Sequence, residues 1–277
     1  MDAAELRRLA EAALREDVGA GDVTTEACVG PEVRARGAIV SRSQGIVAGT
    51  DIAREVFLAV DRATQVSVRV QDGAEVASGD EVLRAAGRAQ ALLAAERSAL
   101  NFLQRLSGVA TLTREFAEAA GPDVRIMDTR KTTPGLRALE KAAVRAGGGH
   151  NHRMGLYDAV LIKDNHLEAA GGVVEAVRAA RRASTSGAKI EVEAKTLEQV
   201  QQALEAGANV IMLDNMDLDT MRAAVELVAG RAELEASGGV RLDNVRAIAA
   251  TGVDMISVGA LTHSAPSLDM SMELAVL

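Results

Sequence analysis

The chain has 277 residues, enough for one large domain or two modest ones, and its 48% apolar and 25% charged residues suit an ordinary soluble globular protein. The formal net charge of −8 argues against a duplex nucleic-acid partner. Phe57, Phe102, Phe116 and Tyr157 are the aromatics, too few to stack the bases of a single strand.

MDAAELRRLAEAALRED opens the chain, with an amphipathic helix predicted over 5–16. It lacks the basic-then-apolar pattern of a signal peptide. Cys28 stands alone, so a disulfide framework is excluded and a reducing compartment fits. No run of about 18 apolar residues offers a membrane span, and the expected location is the cytoplasm. Segments 34–40 and 66–70 alternate like strands, and DGAEVASGDEVL (72–83) has a turn–strand–turn texture. AQALLAAERSALNFLQRLSG (89–108) reads as a long helix with Gly108 as its stop. The expectation is an N-terminal α+β domain of sandwich-like form over 1–108.

From about residue 125 short apolar runs recur: RIMDTR (125–130), AVLIKDN (159–165), KIEVEA (189–194), NVIMLDN (209–215), AELEASGG (232–239) and MISVGAL (255–261). Helical patterns fill the later gaps at 196–207, 217–230 and 241–252, and a further helix is predicted over 136–146. Strand, helix and strand at this period predict an incomplete (β/α) barrel over 109–266, with the tail 267–277 returning to the N-terminal domain. Each run also ends in a polar residue: Arg130, Lys163, Glu193, Asp214, Ser237, then Ser257 with Gly259. The carboxyl ends of barrel strands converge on one mouth, so these groups are expected around one cavity.

The stretch 128–166 carries seven Lys/Arg against four Asp/Glu, and all five lysines of the chain (131, 141, 163, 189, 195) lie beyond residue 130. His150, His152 and His166 share that window. Arg grips carboxylates and phosphates bidentately, and Lys is a point charge near a reacting centre. Glu193 and Asp214 could bind sugar hydroxyls or Mg²⁺, or steady a cationic transition state. Ser237, Gly238 and Gly259 lie in glycine-rich strand ends of the kind that hold a phosphate. No GxxxxGK[ST] and no GxGxxG after a strand is present, which excludes a P-loop and makes a dinucleotide fold unsuitable. A polyanionic substrate with at least one phosphate, in a reaction developing charge of both signs, fits phosphoribosyl transfer.

DTRKTTPGLRALEKAAVRAGGGHNHRMGLYDAVLIKDNH closely resembles the core motif of the quinolinate phosphoribosyltransferase family. REDVGAGDVTTEAC, AERSALNFLQRLSGVATLT, IEVEAKTL, IMLDNM, EASGGV and ISVGALTHSAP extend the likeness, in order, over nearly the whole chain. The resemblance implies transfer of phosphoribose from phosphoribosyl pyrophosphate to the ring nitrogen of quinolinate. Loss of the 2-carboxylate as CO2 follows, giving nicotinate mononucleotide for NAD synthesis, with Mg²⁺ as cofactor. It implies that Arg130, His152 and Arg153 hold the two carboxylates beside Lys131, and that Lys163 stands near the reacting ribose carbon. Glu193 and Asp214 would face ribose hydroxyls and metal, and Ser237, Gly238 and Gly259 would cradle a phosphate. Arg97 resembles the arginine that reaches into a neighbouring subunit's site, implying a homodimer with shared active sites or a hexamer of dimers.

Other readings compete at several positions. Arg137, Lys141 and Arg145, at spacings of four, would equally form a solvated helix face. His150 and His166 suit loop capping, His263 could face the mouth, and Lys189 begins its strand at the wrong end for chemistry. A group linked to molybdenum transport shares TRKT-type motifs and would use another acceptor. A carrier domain built on DGAEVASGDEVL needs an acceptor Lys that residues 1–130 lack. A Schiff-base aldolase on Lys163 fits the surrounding cations poorly.

Overall fold

The computed structural model describes residues 1–183 and 189–277. They form two compact units, Met1–Arg114 with Pro134–Gly148 and Ala265–Leu277, and Glu115–Thr133 with Gly149–Ser264.

The first unit opens with helices α1 (Ala3–Asp17) and α2 (Val23–Cys28), whose N-cap carboxylates, Asp2 and Asp22, accept from the amides of Glu5 and Thr25. Strands β1 (Arg34–Ser41) and β2 (Gly45–Ile46), helix α3 (Thr50–Val60) and strands β3 (Gln65–Val68), β4 (Glu75–Val76) and β5 (Glu81–Arg88) follow. A four-stranded antiparallel sheet has the order β12-β1-β5-β3, where β12 is Met270–Val276. The tail is therefore a strand, with Ala35 opposite Val276 and Ser41 opposite Met270. The carrier-like DGAEVASGDEVL holds β4, the partner of β2, and the start of β5. The core is aliphatic, built on Ile39, Ile52 and Leu83 around one buried ring, Phe57.

Helix α4 (Ala89–Ala120) does not stop at Gly108. A Cβ at residue 108 would lie 1.9 Å from the Pro266 carbonyl oxygen, so this glycine serves close approach of the tail rather than termination. Helix α5 (Arg137–Ala146) groups with this unit although sequence placed it with the barrel. Its buried Glu140 accepts from the Arg105 guanidinium at 2.9 Å, and Arg114 reaches the carbonyl of Gly147 at 3.1 Å. Lys141 is fully buried rather than part of a solvated face.

The second unit holds six strands: β6 (Arg125–Met127), β7 (Val160–Ile162), β8 (Ile190–Ala194), β9 (Val210–Asp214), β10 (Glu233–Ser237) and β11 (Met255–Ser257). They form one parallel sheet in the order β6-β11-β10-β9-β8-β7. Among the described residues no pairing joins β7 to β6, so the barrel is open. Helices α6 (Asp164–Ala170), α7 (Val173–Ala183), α8 (Leu197–Glu205), α9 (Leu218–Val228), α10 (Val245–Ala249) and α11 (Ala260–His263) fill the connections. Thr196 and Asp217 cap α8 and α9. The pattern at 241–252 yields only the five residues of α10, because Arg241–Asn244 is spent on a turn closed by the Asn244 side chain.

The strands are not apolar on both faces. Ile190, Val192, Ile211, Leu213, Leu234, Ala236 and Ile256 alternate with Glu191, Glu193, Val210, Met212, Glu235 and Met255. Met127, Val210 and Met255 form one cluster of buried residues. Glu191 on β8 and Glu235 on β10 approach the same imidazole although β9 lies between their strands. Only the concave face of a curved sheet brings them together, so this second set lines the barrel interior.

Candidate active site

A cavity of about 730 Å³ opens at the carboxyl ends of these strands. Arg130, Lys131, His152, Arg153, Lys163, Glu193, Asp214, Ser237, Gly238 and Gly259 all line it. Arg97 stands exposed on α4, in the other unit. His263 joins the lining, as do Asn215 and Arg241, which sequence did not single out.

The cationic wall is set by β6 and the segment after α5. Asp128, fully buried, accepts from the Asn151 side chain at 2.6 Å and the His152 amide at 2.8 Å. Its amide in turn meets the His150 carbonyl at 3.0 Å, so His150 takes part through its main chain. These ties bring Arg153 beside Arg130. Burial lowers Arg153 from the usual arginine value, and the charge of Arg130 lowers it further. Two guanidiniums that disfavour each other in a half-buried wall are stabilised by an anion. Lys131 follows, its carbonyl held by the Thr262 hydroxyl at 2.8 Å. A Cβ at Gly259 would come within 3.2 Å of Lys131 and His263, so glycine there keeps this side open.

The acidic wall comes from β8 and β9. Lys163 donates to Glu193 at 2.7 Å, an ion pair whose lysine is 47% exposed and whose acid is 9% exposed. Burial raises Asp214 above the ordinary aspartate value and the Glu193 charge adds to it, while Lys195 and Lys163 pull it down. An aspartate raised by burial and a neighbouring carboxylate favours a cation or hydroxyl donors beside it. Lys195 pairs with Asp164 at 2.8 Å, and Lys189 joins Arg125 on Glu233 at the opposite end of the strands, a structural position. His166 accepts the Lys163 amide on Nδ1 at 2.9 Å, closing the N-terminus of α6.

The third side is backbone. Gly238 and Gly239 follow β10 with φ of +97° and +63°. A Cβ at Gly238 would run into the Asn215 carboxamide and displace it, and the φ of +97° favours glycine in any case. Asn215, itself at φ +54°, donates its amide to the Ser237 carbonyl and its side chain to Asp214. Its signal in sequence was weak, since only the turn after β9 marked it.

Below the mouth lies a layer that sequence missed. His152 Nε2 is 3.0 Å from Glu191 Oε2 and 3.7 Å from Glu235 Oε2. Ser257 donates its hydroxyl to the other oxygen of Glu235. Burial pushes the Glu235 carboxyl up to about 7, with the Glu191 charge adding and His152 opposing. The available signal was phase. Glu191 stands two residues before Glu193, and Glu235 two before Ser237, so each shares the inward face of its strand.

Comparisons with known proteins agree along the chain. The family models described as quinolinate phosphoribosyl transferase, N-terminal domain and C-terminal domain, match residues 22–107 and 109–273. A Bacillus subtilis (strain 168) protein named "Probable nicotinate-nucleotide pyrophosphorylase (carboxylating)" is 46% identical over 277 residues, covering 100% of this chain and 96% of the relative. A mitochondrial "Quinolinate phosphoribosyltransferase (decarboxylating) 2" of Nicotiana glauca is 43% identical, covering 98% and 82%. The crystal structure of NadC from Streptococcus pyogenes superposes with a TM-score of 0.96 at 40% identity, covering 100% of this chain and 99% of the other. The nicotinate-nucleotide pyrophosphorylase of Francisella tularensis gives a TM-score of 0.95 at 37% identity, covering 99% and 98%.

Proposed function

The chain belongs to the quinolinate phosphoribosyltransferase family, and from that membership and its mouth geometry we infer that it transfers phosphoribose from phosphoribosyl pyrophosphate to quinolinate with decarboxylation. The products are nicotinate mononucleotide, pyrophosphate and CO2. The observation that carries the reading is the pairing of two walls in one cavity: Arg130 beside Arg153, and Glu193 beside Asp214. Quinolinate is a dianion, and only a site with cations in excess can take it out of water. Arg130 and Arg153 meet its carboxylates, with Lys131 alongside. The family models and the Nicotiana glauca relative carry the quinolinate name, and no relative gives support to a molybdenum-linked acceptor.

Ribose transfer passes through an oxocarbenium-like state. Glu193 and Asp214 face the ribose hydroxyls and offset its developing positive charge. Lys163, held by Glu193, stands at the junction of acceptor and donor and favours the departing pyrophosphate. The backbone of Gly238 and Gly259 cradles the 5-phosphate, with Ser237 adding a hydroxyl. Glu193 and Asp214, two carboxylates facing one cavity, are a donor set that would suit Mg²⁺. Glu193 and Asp214 would hold it, and it would neutralise charge on the leaving pyrophosphate. Once the pyridine nitrogen is quaternised, loss of the 2-carboxylate leaves electron density beside that nitrogen, which the cationic wall also stabilises.

The working unit is proposed to be a cytoplasmic homodimer in which exposed Arg97 completes the partner's mouth. No helix among the described residues is long and apolar enough to cross a membrane.

Purified protein supplied with quinolinate, phosphoribosyl pyrophosphate and Mg²⁺ is expected to release CO2 and nicotinate mononucleotide in equal amounts. Lys163→Ala is expected to cut kcat by about 10²–10³-fold, the scale of losing one group aimed at transition-state charge. Turnover with nicotinate in place of quinolinate, or none with either acceptor, would sink the reading.

A further inference from the structure

We propose that Glu191 and Glu235 are positioning residues that hold the His152 ring as an internal strut, and through it set the main chain and guanidinium of Arg153. The assignment of Arg153 to a substrate carboxylate rests on the function proposed above.

The hydrogen bonds on His152 fix its state. Nδ1 accepts the amide N–H of Arg153 at 2.8 Å. A main-chain amide can only donate, so Nδ1 carries no proton and the ring proton sits on Nε2. Nε2 then donates to Glu191 Oε2 at 3.0 Å, with Glu235 Oε2 at 3.7 Å. Both ring nitrogens are engaged within the protein. The resemblance made this histidine a carboxylate ligand; under this proposal Arg130 and Arg153 meet the carboxylates, and His152, which also lines the cavity, braces Arg153.

The brace is anchored from every side. Asn151 and the His152 amide hang on buried Asp128, the Arg153 amide hangs on the ring, and the ring stands on Glu191. Glu235 is fixed by Ser257. Glu191 Oε1 is buried with no hydrogen-bond partner, a costly state for a carboxylate whose only service is packing. Its retention is accounted for by the charge that Oε2 offers Nε2–H. Arg125 faces the pair as a cation and His152 as an N–H donor, and Met212 and Met255 flank Glu235 in register.

The same three side chains could be taken for a metal site, since their ligand atoms lie within 4.8 Å of one another. Metal on Nε2 would move the ring proton to Nδ1, setting it against the Arg153 N–H. The hydrogen-bond pattern therefore selects a proton over a metal ion.

Histidine two-bond 1H–15N spectra of the full-length protein test this directly. The chain has four histidines, so His152 is assigned by the signal lost in His152→Gln. The expected signal shows a bare Nδ1 and a protonated Nε2, in wild type and in Glu191→Gln, which keeps an acceptor oxygen. Glu191→Ala is expected to lose that pattern and to raise KM for quinolinate about tenfold, leaving KM for phosphoribosyl pyrophosphate and kcat within about twofold. A purely structural residue would move both KM values together, and that result overturns the proposal. So does a wild-type His152 that is protonated on Nδ1, whether or not Glu191→Ala folds. Stoichiometric zinc retained by dialysed wild type and lost in Glu191→Ala would replace the strut with a metal site. The spectrum needs no turnover, so it separates failure of this inference from failure of the quinolinate reading.

Discussion

Arg130 and Arg153 show how much one position can reveal. Residue type marked both as anion ligands, Arg130 also by its strand-end phase and Arg153 by its basic segment, and the structure sets them side by side, with burial and the charge of Arg130 lowering Arg153. Arg153→Lys keeps the charge but loses the bidentate fork, so KM for quinolinate is expected to rise about 10-fold with kcat little changed, as steady-state kinetics would read. Glu235 tells the opposite story, because a glutamate inside an apolar-looking run gives no hint of its depth. Its carboxyl is pushed from an unfolded value of 4.5 up to about 7. Between those values the native state binds the proton and the unfolded chain does not, so stability falls as pH rises through this window. The loss is complete above about 7 and amounts to at most roughly 3–4 kcal/mol, at about 1.4 kcal/mol per unit. Glu235→Gln removes it. Denaturant unfolding should therefore favour the variant more near pH 8 than near pH 4, and a difference independent of pH would mean that Glu235 ionises normally.

At the scale of elements, most strands and helices were legible because hydrophobic period and capping residues pointed the same way. The six runs after residue 125 became β6 to β11, and Thr196 and Asp217 opened the helices they precede. Glycine misled at residue 108, where sequence shows the missing side chain but not the chain that occupies its place. Gly108→Ala is expected to lower the melting temperature by more than the helix-propensity gain of about 1 kcal/mol could raise it. A melting temperature equal to wild type or higher would show that the Pro266 carbonyl does not hold the place a Cβ at 108 would take. The inward face of the barrel was the other illegible element. Period two was present, but methionine alternating with isoleucine and valine looks uniformly apolar, and it hid the two glutamates beneath the mouth.

For the molecule as a whole, fold class followed from the strand–helix rhythm, whereas membership of the units did not. The first unit is assembled from three stretches of chain; the tail was expected to return to it, but nothing in the composition of 134–148 announces which unit that stretch joins. Non-local pairing decides that. Deleting residues 265–277 would strip β12 from β1 and bare the amides of an eight-residue strand. The truncated chain is expected to aggregate or to unfold at markedly lower denaturant, by light scattering and circular dichroism. Wild-type stability after truncation would make the strand an ornament.

The pairing of β1 with β12 also dictates an order of events during synthesis. Residues 34–41 cannot gain their outer partner until 270–276 have left the ribosome, more than two hundred residues later. At about 5–20 residues per second the early sheet waits on the order of ten seconds or more with an open edge. Successive strands from β7 to β11 follow one another by about twenty to thirty residues and need no such wait, whereas β6 stands alone until β11 arrives. The vulnerable interval in this protein's life is the one before its last strand docks, and chaperone dependence in the cell should centre on the first ninety residues.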